Sequence, residues 1–209
     1  MDKAREAALR ALVEIDAKEA YSNLVLKKIL REGSMDARDR AFVTELVYGT
    51  VNRKLTLDWV IGRFLKTKLT KLSIWVLQIL RMGAYQLLFL DRVPPSAACN
   101  TAVDLAKRYA KASAGFVNAI LRNISRQKES INIEHPHTGS LASDLSLQFS
   151  FPEYLVKEWL SVFGEDFTRK LLDALLQRPD FSVRVNTLKT TAAEIAKEAT
   201  VLQLINAYR

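Results

Sequence analysis

Between positions 107 and 122 the chain places Lys107, Arg108 and Lys111, followed by Phe116, Asn118 and Arg122. Cations on neighbouring helical turns can meet successive phosphates, an aromatic ring can stack on an unpaired base, and a carboxamide can bond a base edge or the backbone. That is the chemistry of an RNA site. The same residues fit a helical bundle in which Phe116 is core and Asn118 an internal cap, so residue type alone leaves both assignments open. A second cationic set, Lys3, Arg5 and Arg10, stands at the start of the chain, where it too can meet phosphates. Glu6 precedes Arg10 by four residues and offers it a solvated pair instead.

Catalytic chemistry is not legible. The seven glycines lie far apart, with no GxG turn to bring a backbone against an adenosyl cofactor and no GxxxxGK phosphate loop. His135 and His137 sit together in a polar stretch and do not complete a metal site. Glu6, Glu14 and Glu45 have cations at helical spacing and are expected as surface pairs, not as an acid/base dyad. Cys99 is the only cysteine, which rules out an internal disulfide; its alanine neighbours predict a buried, unreactive thiol and a reducing compartment. No catalytic residue, metal ligand or cofactor is assigned.

Charge supports a polyanionic partner. The net charge of +8 is unevenly spread: residues 1–128 hold 23 Lys and Arg against 12 Asp and Glu, a net of +11, and the remainder is at −3. A basic excess confined to one segment is the electrostatic footprint of a nucleic-acid binder. The N-terminal MDKAREAALRALVEID has no unbroken apolar core of the signal-peptide type, so the reading is cytoplasmic. Leu72–Leu90 is long and apolar, but Ser73, Gln78, Arg81 and Gln86 interrupt it. A charge at mid-span is costly in lipid, so this is the central helix of a bundle and no membrane is expected.

The elements that must position these residues are helical. Apolar residues recur at helical spacing over Asp2–Lys18, Ser22 to a stop at Gly33, Asp36–Gly49, Leu55–Leu65 and Leu72–Leu90. Pro94 and Pro95 cannot continue the last of these but are tolerated in the first turn of the next, Ser96–Ala110, which Ser113–Arg126 follows. The prediction is an all-α bundle of about seven helices over residues 1–128. Ser130–Ser150, rich in Asn, His, Pro, Gly and Ser, predicts a linker over 129–150. Short helices from Pro152 and over Phe167–Leu176 come next. Phe181, Val183 and Val185 then alternate as a half-buried strand, before a helix over Thr191–Lys197. Residues 151–209 thus read as an α/β domain that begins and is left incomplete.

Four segments in order, ELVYGTV at 45–51, LRMGAYQLLFL at 80–90, NTAVDLAK at 100–107 and GFVNAILR at 115–122, resemble the NusB-like domain. The resemblance is closest to that domain as it stands at the N-terminus of the RsmB/Sun family of small-subunit ribosomal RNA cytosine-C5 methyltransferases. PEYLVKEWLSVFG at 152–164 and FSVRVNTLKT at 181–190 look like the stretch that joins it to the catalytic module there.

The resemblance implies an RNA-binding, all-α fold, with Arg5 and, by the FVN motif, Phe116 and Asn118 at the RNA. Lys3, Arg10, Lys107, Arg108, Lys111 and Arg122 join them on charge and helical position. It also implies S-adenosylmethionine and two catalytic cysteines in a following domain, and no positions here match those. The expectation is therefore an RNA-binding module of such an enzyme, partnered by small-subunit ribosomal RNA and by a catalytic domain not found in this chain. The alternative is a NusB-type antitermination factor acting with a ribosomal protein.

Overall fold

The structure is a computed structural model and describes residues 2–32, 35–177 and 184–197. Seven helices fill the first 126 residues: α1 (Lys3–Lys18), α2 (Ser22–Glu32), α3 (Ala37–Asn52), α4 (Lys54–Gly62), α5 (Ile74–Phe89), α6 (Pro95–Tyr109) and α7 (Ala114–Arg126). Local chemistry sets several of their ends. Asp2 accepts from the Arg5 N–H at 2.9 Å, Asp36 from Asp39 at 2.7 Å and Ser73 from Val76 at 3.4 Å, each satisfying a donor that the first helical turn leaves unpaired. Pro95 occupies the first turn of α6, where its missing N–H costs no hydrogen bond. Gly33, the expected stop of α2, lies outside the described residues.

The axis of the bundle is α5, in which every residue from Gln78 to Leu87 is buried. It packs against α1, α3, α4, α6 and α7. Two glycines set how closely the helices approach. A Cβ on Gly49 of α3 would lie 2.0 Å from the Tyr85 ring, and one on Gly83 of α5 would lie 2.7 Å from Leu121 of α7. The polar residues that interrupt α5 each find partners inside the bundle: Gln78 donates to Asp16 at 3.0 Å, Arg81 to Asp58 at 2.7 Å, and Gln86 to the Met82 carbonyl at 2.9 Å. No described helix is long and apolar enough to cross a membrane.

The stretch 129–150, where composition predicts a linker, contains a helix. Ser140 caps a helix α8 (Leu141–Phe149), and α8 docks on α4. The Thr56 hydroxyl donates to the Leu147 carbonyl at 2.6 Å and the Arg53 guanidinium to the Gln148 carbonyl at 3.1 Å. In return the Leu55 N–H donates to the Ser150 hydroxyl at 2.9 Å, so the start of one helix and the end of the other cap each other.

Helix α9 (Glu153–Leu176) is broken at Gly164 (φ 74°, ψ 175°), which separates the two short helices expected there. Ala142, Leu145, Val156 and Leu172 form a small second core, with Phe151 against Trp159. The chain divides into two compact units, residues 1–173 and 174–209. In the second, α10 (Ala192–Lys197) is the expected helix. Of the predicted strand, Phe181, Ser182 and Val183 lie outside the described residues, and no strand is present among the described ones.

Candidate nucleic-acid interface

Glu6 joins the two cationic sets. The Arg108 guanidinium reaches its carboxylate at 3.1 Å, and the Tyr109 hydroxyl donates to the same oxygen. The Glu6–Arg10 pair predicted from spacing does not form, because α6 brings Glu6 a second cation and a phenol at once. Arg10 is left exposed one turn beyond Glu6, and Lys3 is exposed one turn before it. Burial, then the bond and charge of Glu6, raise the Tyr109 phenol above its usual value, while the positive charges of Arg108 and Arg10 pull it down. The positive charges of Arg10 on α1 and Arg108 on α6 thus both bear on the Tyr109 phenol.

Arg5 departs from its expected role. It is buried, with Nε donating to Gln86 at 2.6 Å, its other end paired with Asp2, and its guanidinium 4.8 Å from the centre of the Phe42 ring. A guanidinium consumed by an amide, a carboxylate and an aromatic face ties α1 to α5 and α3 and has little left to offer a phosphate.

The other predicted residues lie on or just beyond α6 and α7, which pack closely together. Lys107 is exposed and 3.7 Å from Asp104; Lys111 is exposed on a short 3-10 turn (Lys111–Ser113) between the helices. Phe116 is 36% exposed, so the core assignment left open by the sequence does not hold. Asn118 is half-buried and accepts from the exposed Arg122 at 2.9 Å, which presents the two side chains as one unit. On α6, Cys99 is buried; burial pushes its thiol up, with the charge of Arg122 opposing.

Two aromatic residues that the sequence did not single out complete the face. Trp75, at the start of α5, stacks on Tyr109 with centroids 4.4 Å apart and planes 5° from parallel. Tyr109 follows Lys107 and Arg108 directly, which was a usable signal. Trp75 opens an apolar run and carried none.

Comparison with known proteins gives two family matches: the NusB family over residues 2–126 and the RsmF/B-like methyltransferase ferredoxin-like domain over residues 151–200. The probable ribosomal RNA small subunit methyltransferase B of Bacillus subtilis (strain 168) is 38% identical over 194 residues, 91% of this chain but 42% of that protein. The transcription antitermination protein NusB of Bacillus licheniformis is also 38% identical, over 128 residues that make up 60% of this chain and 96% of that protein. Among solved structures, NusB of T. maritima superposes with a TM-score of 0.57 at 28% identity, covering 60% of this chain and 90% of that one.

Proposed function

The chain belongs to the NusB family, and on that premise we propose that it is the RNA-binding part of a small-subunit ribosomal RNA (cytosine-C5) methyltransferase. The observation that carries this reading is the order of two matches in one chain, the NusB family over 2–126 followed by the RsmF/B-like ferredoxin-like domain over 151–200. The NusB relative accounts for 60% of the chain and leaves the second match unexplained. The chain spans less than half the length of the methyltransferase relative, and S-adenosylmethionine and the methyl transfer are assigned to the portion of such an enzyme that lies outside this chain.

In this reading residues 1–128 are the RNA-binding domain, residues 151–209 begin a second domain, and residues 129–150 connect the two. Lys3, Arg10, Lys107, Arg108, Lys111 and Arg122 hold RNA chiefly through phosphates, which positions the strand and carries little sequence information. Phe116 supplies a ring for an unpaired base, and the Asn118–Arg122 pair polar contacts beside it. The RNA is small-subunit ribosomal RNA, the second partner is the catalytic domain of the same enzyme, and the compartment is the cytoplasm.

Fluorescence anisotropy tests this. The full chain is titrated with a small-subunit ribosomal RNA stem-loop, an antitermination-type single strand and a random RNA, each at several salt concentrations. Preference for the stem-loop, with affinity falling steeply as salt rises and weakened by Lys107→Ala with Lys111→Ala, is the expected result. Preference for the antitermination strand favours the second reading, a NusB-type factor acting with a ribosomal protein, which the Bacillus licheniformis relative supports over residues of the first domain. Absence of binding to any RNA at low salt overturns both.

A further inference from the structure

A cleft of about 250 Å³ opens between α1, α2 and the start of α5. Its walls carry three cations, Arg10, Lys18 and Lys28, against one carboxylate, Glu14, and its apolar surface includes Val13 and Trp75. Glu14 is held by Lys18 at 3.1 Å and Lys28 at 3.3 Å, which keeps its carboxyl below the usual range and the local charge net positive. Arg10 forms no hydrogen bond or ion pair among the described residues. None of Lys18, Lys28 and Trp75 belongs to the cationic sets read from the sequence.

The cleft and the α1–α6 face are continuous at two points. Arg10 belongs to both, and Trp75 of the cleft stacks on Tyr109, whose hydroxyl is bonded to Glu6 beside Arg108. Strand-binding surfaces combine a basic track along the backbone with aromatic rings for bases, and this route has both. The cleft is small, about 250 Å³, below the roughly 300 to 1,000 Å³ of sites that enclose a drug-sized ligand.

Resting on the RNA-binding reading, we propose that this cleft is a subsite for one unpaired nucleotide of the bound RNA, its base against Trp75 and its phosphate between Arg10 and Lys28. The strand then runs from the α6–α7 turn across Tyr109 and along α1 to α2. A base can enter only if it is splayed out of a helix, so the subsite discriminates single-stranded segments from continuous duplex.

The test uses the full chain carrying Trp59→Phe and Trp159→Phe, which leaves Trp75 as the only tryptophan of three. Its emission is followed while anisotropy records binding of a single-stranded RNA and of a duplex of equal length in roughly 50 mM salt. The expected result is quenching of Trp75 by the single strand and none by the duplex. Lys28→Glu, at an exposed position, reverses one charge of the cleft and should weaken the single strand about fivefold or more and leave the duplex within about twofold, with circular dichroism confirming the fold. Trp75→Ala should cost about tenfold for the single strand alone, with circular dichroism confirming the fold. Binding seen by anisotropy with unchanged Trp75 emission and unaltered affinity of Lys28→Glu overturns the subsite and leaves the RNA-binding reading intact. No anisotropy change with either RNA overturns both.

Discussion

Arg81 grips Asp58 with both ends of its guanidinium, Nε to Oδ1 and Nη2 to Oδ2, each at 2.7 Å. The Arg81 side chain is almost wholly buried, and its remaining nitrogen reaches Asp16 at 3.3 Å. Asp16 in turn accepts from Lys54 at 2.7 Å and from Gln78 at 3.0 Å, so one cluster ties α1 and α4 to the central helix. Removing Arg81 leaves two part-buried carboxylates without their shared cation, and Arg81→Ala should cost about 3 kcal/mol in urea denaturation. Arg81→Lys should restore little, because a single ammonium cannot reproduce the fork.

The same cluster predicts a pH dependence. Burial is the largest influence on the Asp16 carboxyl and raises it, but the hydrogen bonds and charges of Lys54 and Arg81 together outweigh it and hold it below its ordinary 3.8. A carboxylate with a depressed folded pKa binds fewer protons than in the unfolded chain. Its contribution is therefore present above the unfolded value and is lost as pH falls through the folded one. Acidification from about pH 5 to pH 3 should lower the urea midpoint of the wild type more than that of Asp16→Asn. Equal falls in the two proteins would remove Asp16 from the account.

Gly49 and Tyr85 make a second, steric prediction. The Cβ of Gly49→Ala would stand 2.0 Å from Cζ of a ring that is itself buried and whose hydroxyl donates to Glu45 at 2.6 Å. The ring has no room to retreat, so the substitution should cost roughly 2 to 3 kcal/mol. Shortening the opposing side chain relieves the clash, and Gly49→Ala with Tyr85→Leu should be less destabilised than the sum of the two single changes.

The bundle was legible because its apolar residues recur at helical spacing and its helix starts are chemical, as at Pro94–Pro95 and Asp36. Composition misled at 129–150. The Asn, His, Pro, Gly and Ser content there predicts a linker, yet a Ser140 cap and the Ala142 and Leu145 pair suffice to start a helix once α4 provides a surface. No local pattern announces that Thr56 and Arg53, some ninety residues earlier, will bond its last carbonyls.

That docking can be probed with Thr56→Val, which keeps the shape and removes the donor to the Leu147 carbonyl. A part-buried acceptor left without its partner should cost about 1 kcal/mol. The loss should appear first as faster amide exchange in Leu141–Phe149, with α5 amides unchanged. Uniform acceleration throughout the bundle would mean that α8 and the bundle unfold together.

The candidate interface was half legible, and Arg5 shows why. A cation on the first helix of a basic chain carries the same sequence signal whether it faces solvent or the core, and only the tertiary partners Gln86 and Phe42 separate Arg5 from Lys3 and Arg10. Arg5→Ala should therefore lower stability by roughly 2 kcal/mol or more through the stranded Gln86 and Asp2. At a temperature where the variant remains folded, its slope of log affinity against log salt should equal that of the wild type, because no phosphate contact has been lost. Lys107→Ala with Lys111→Ala should do the opposite, leaving the urea midpoint in place while reducing that slope by up to about 2. A reduced slope in Arg5→Ala would return Arg5 to the RNA.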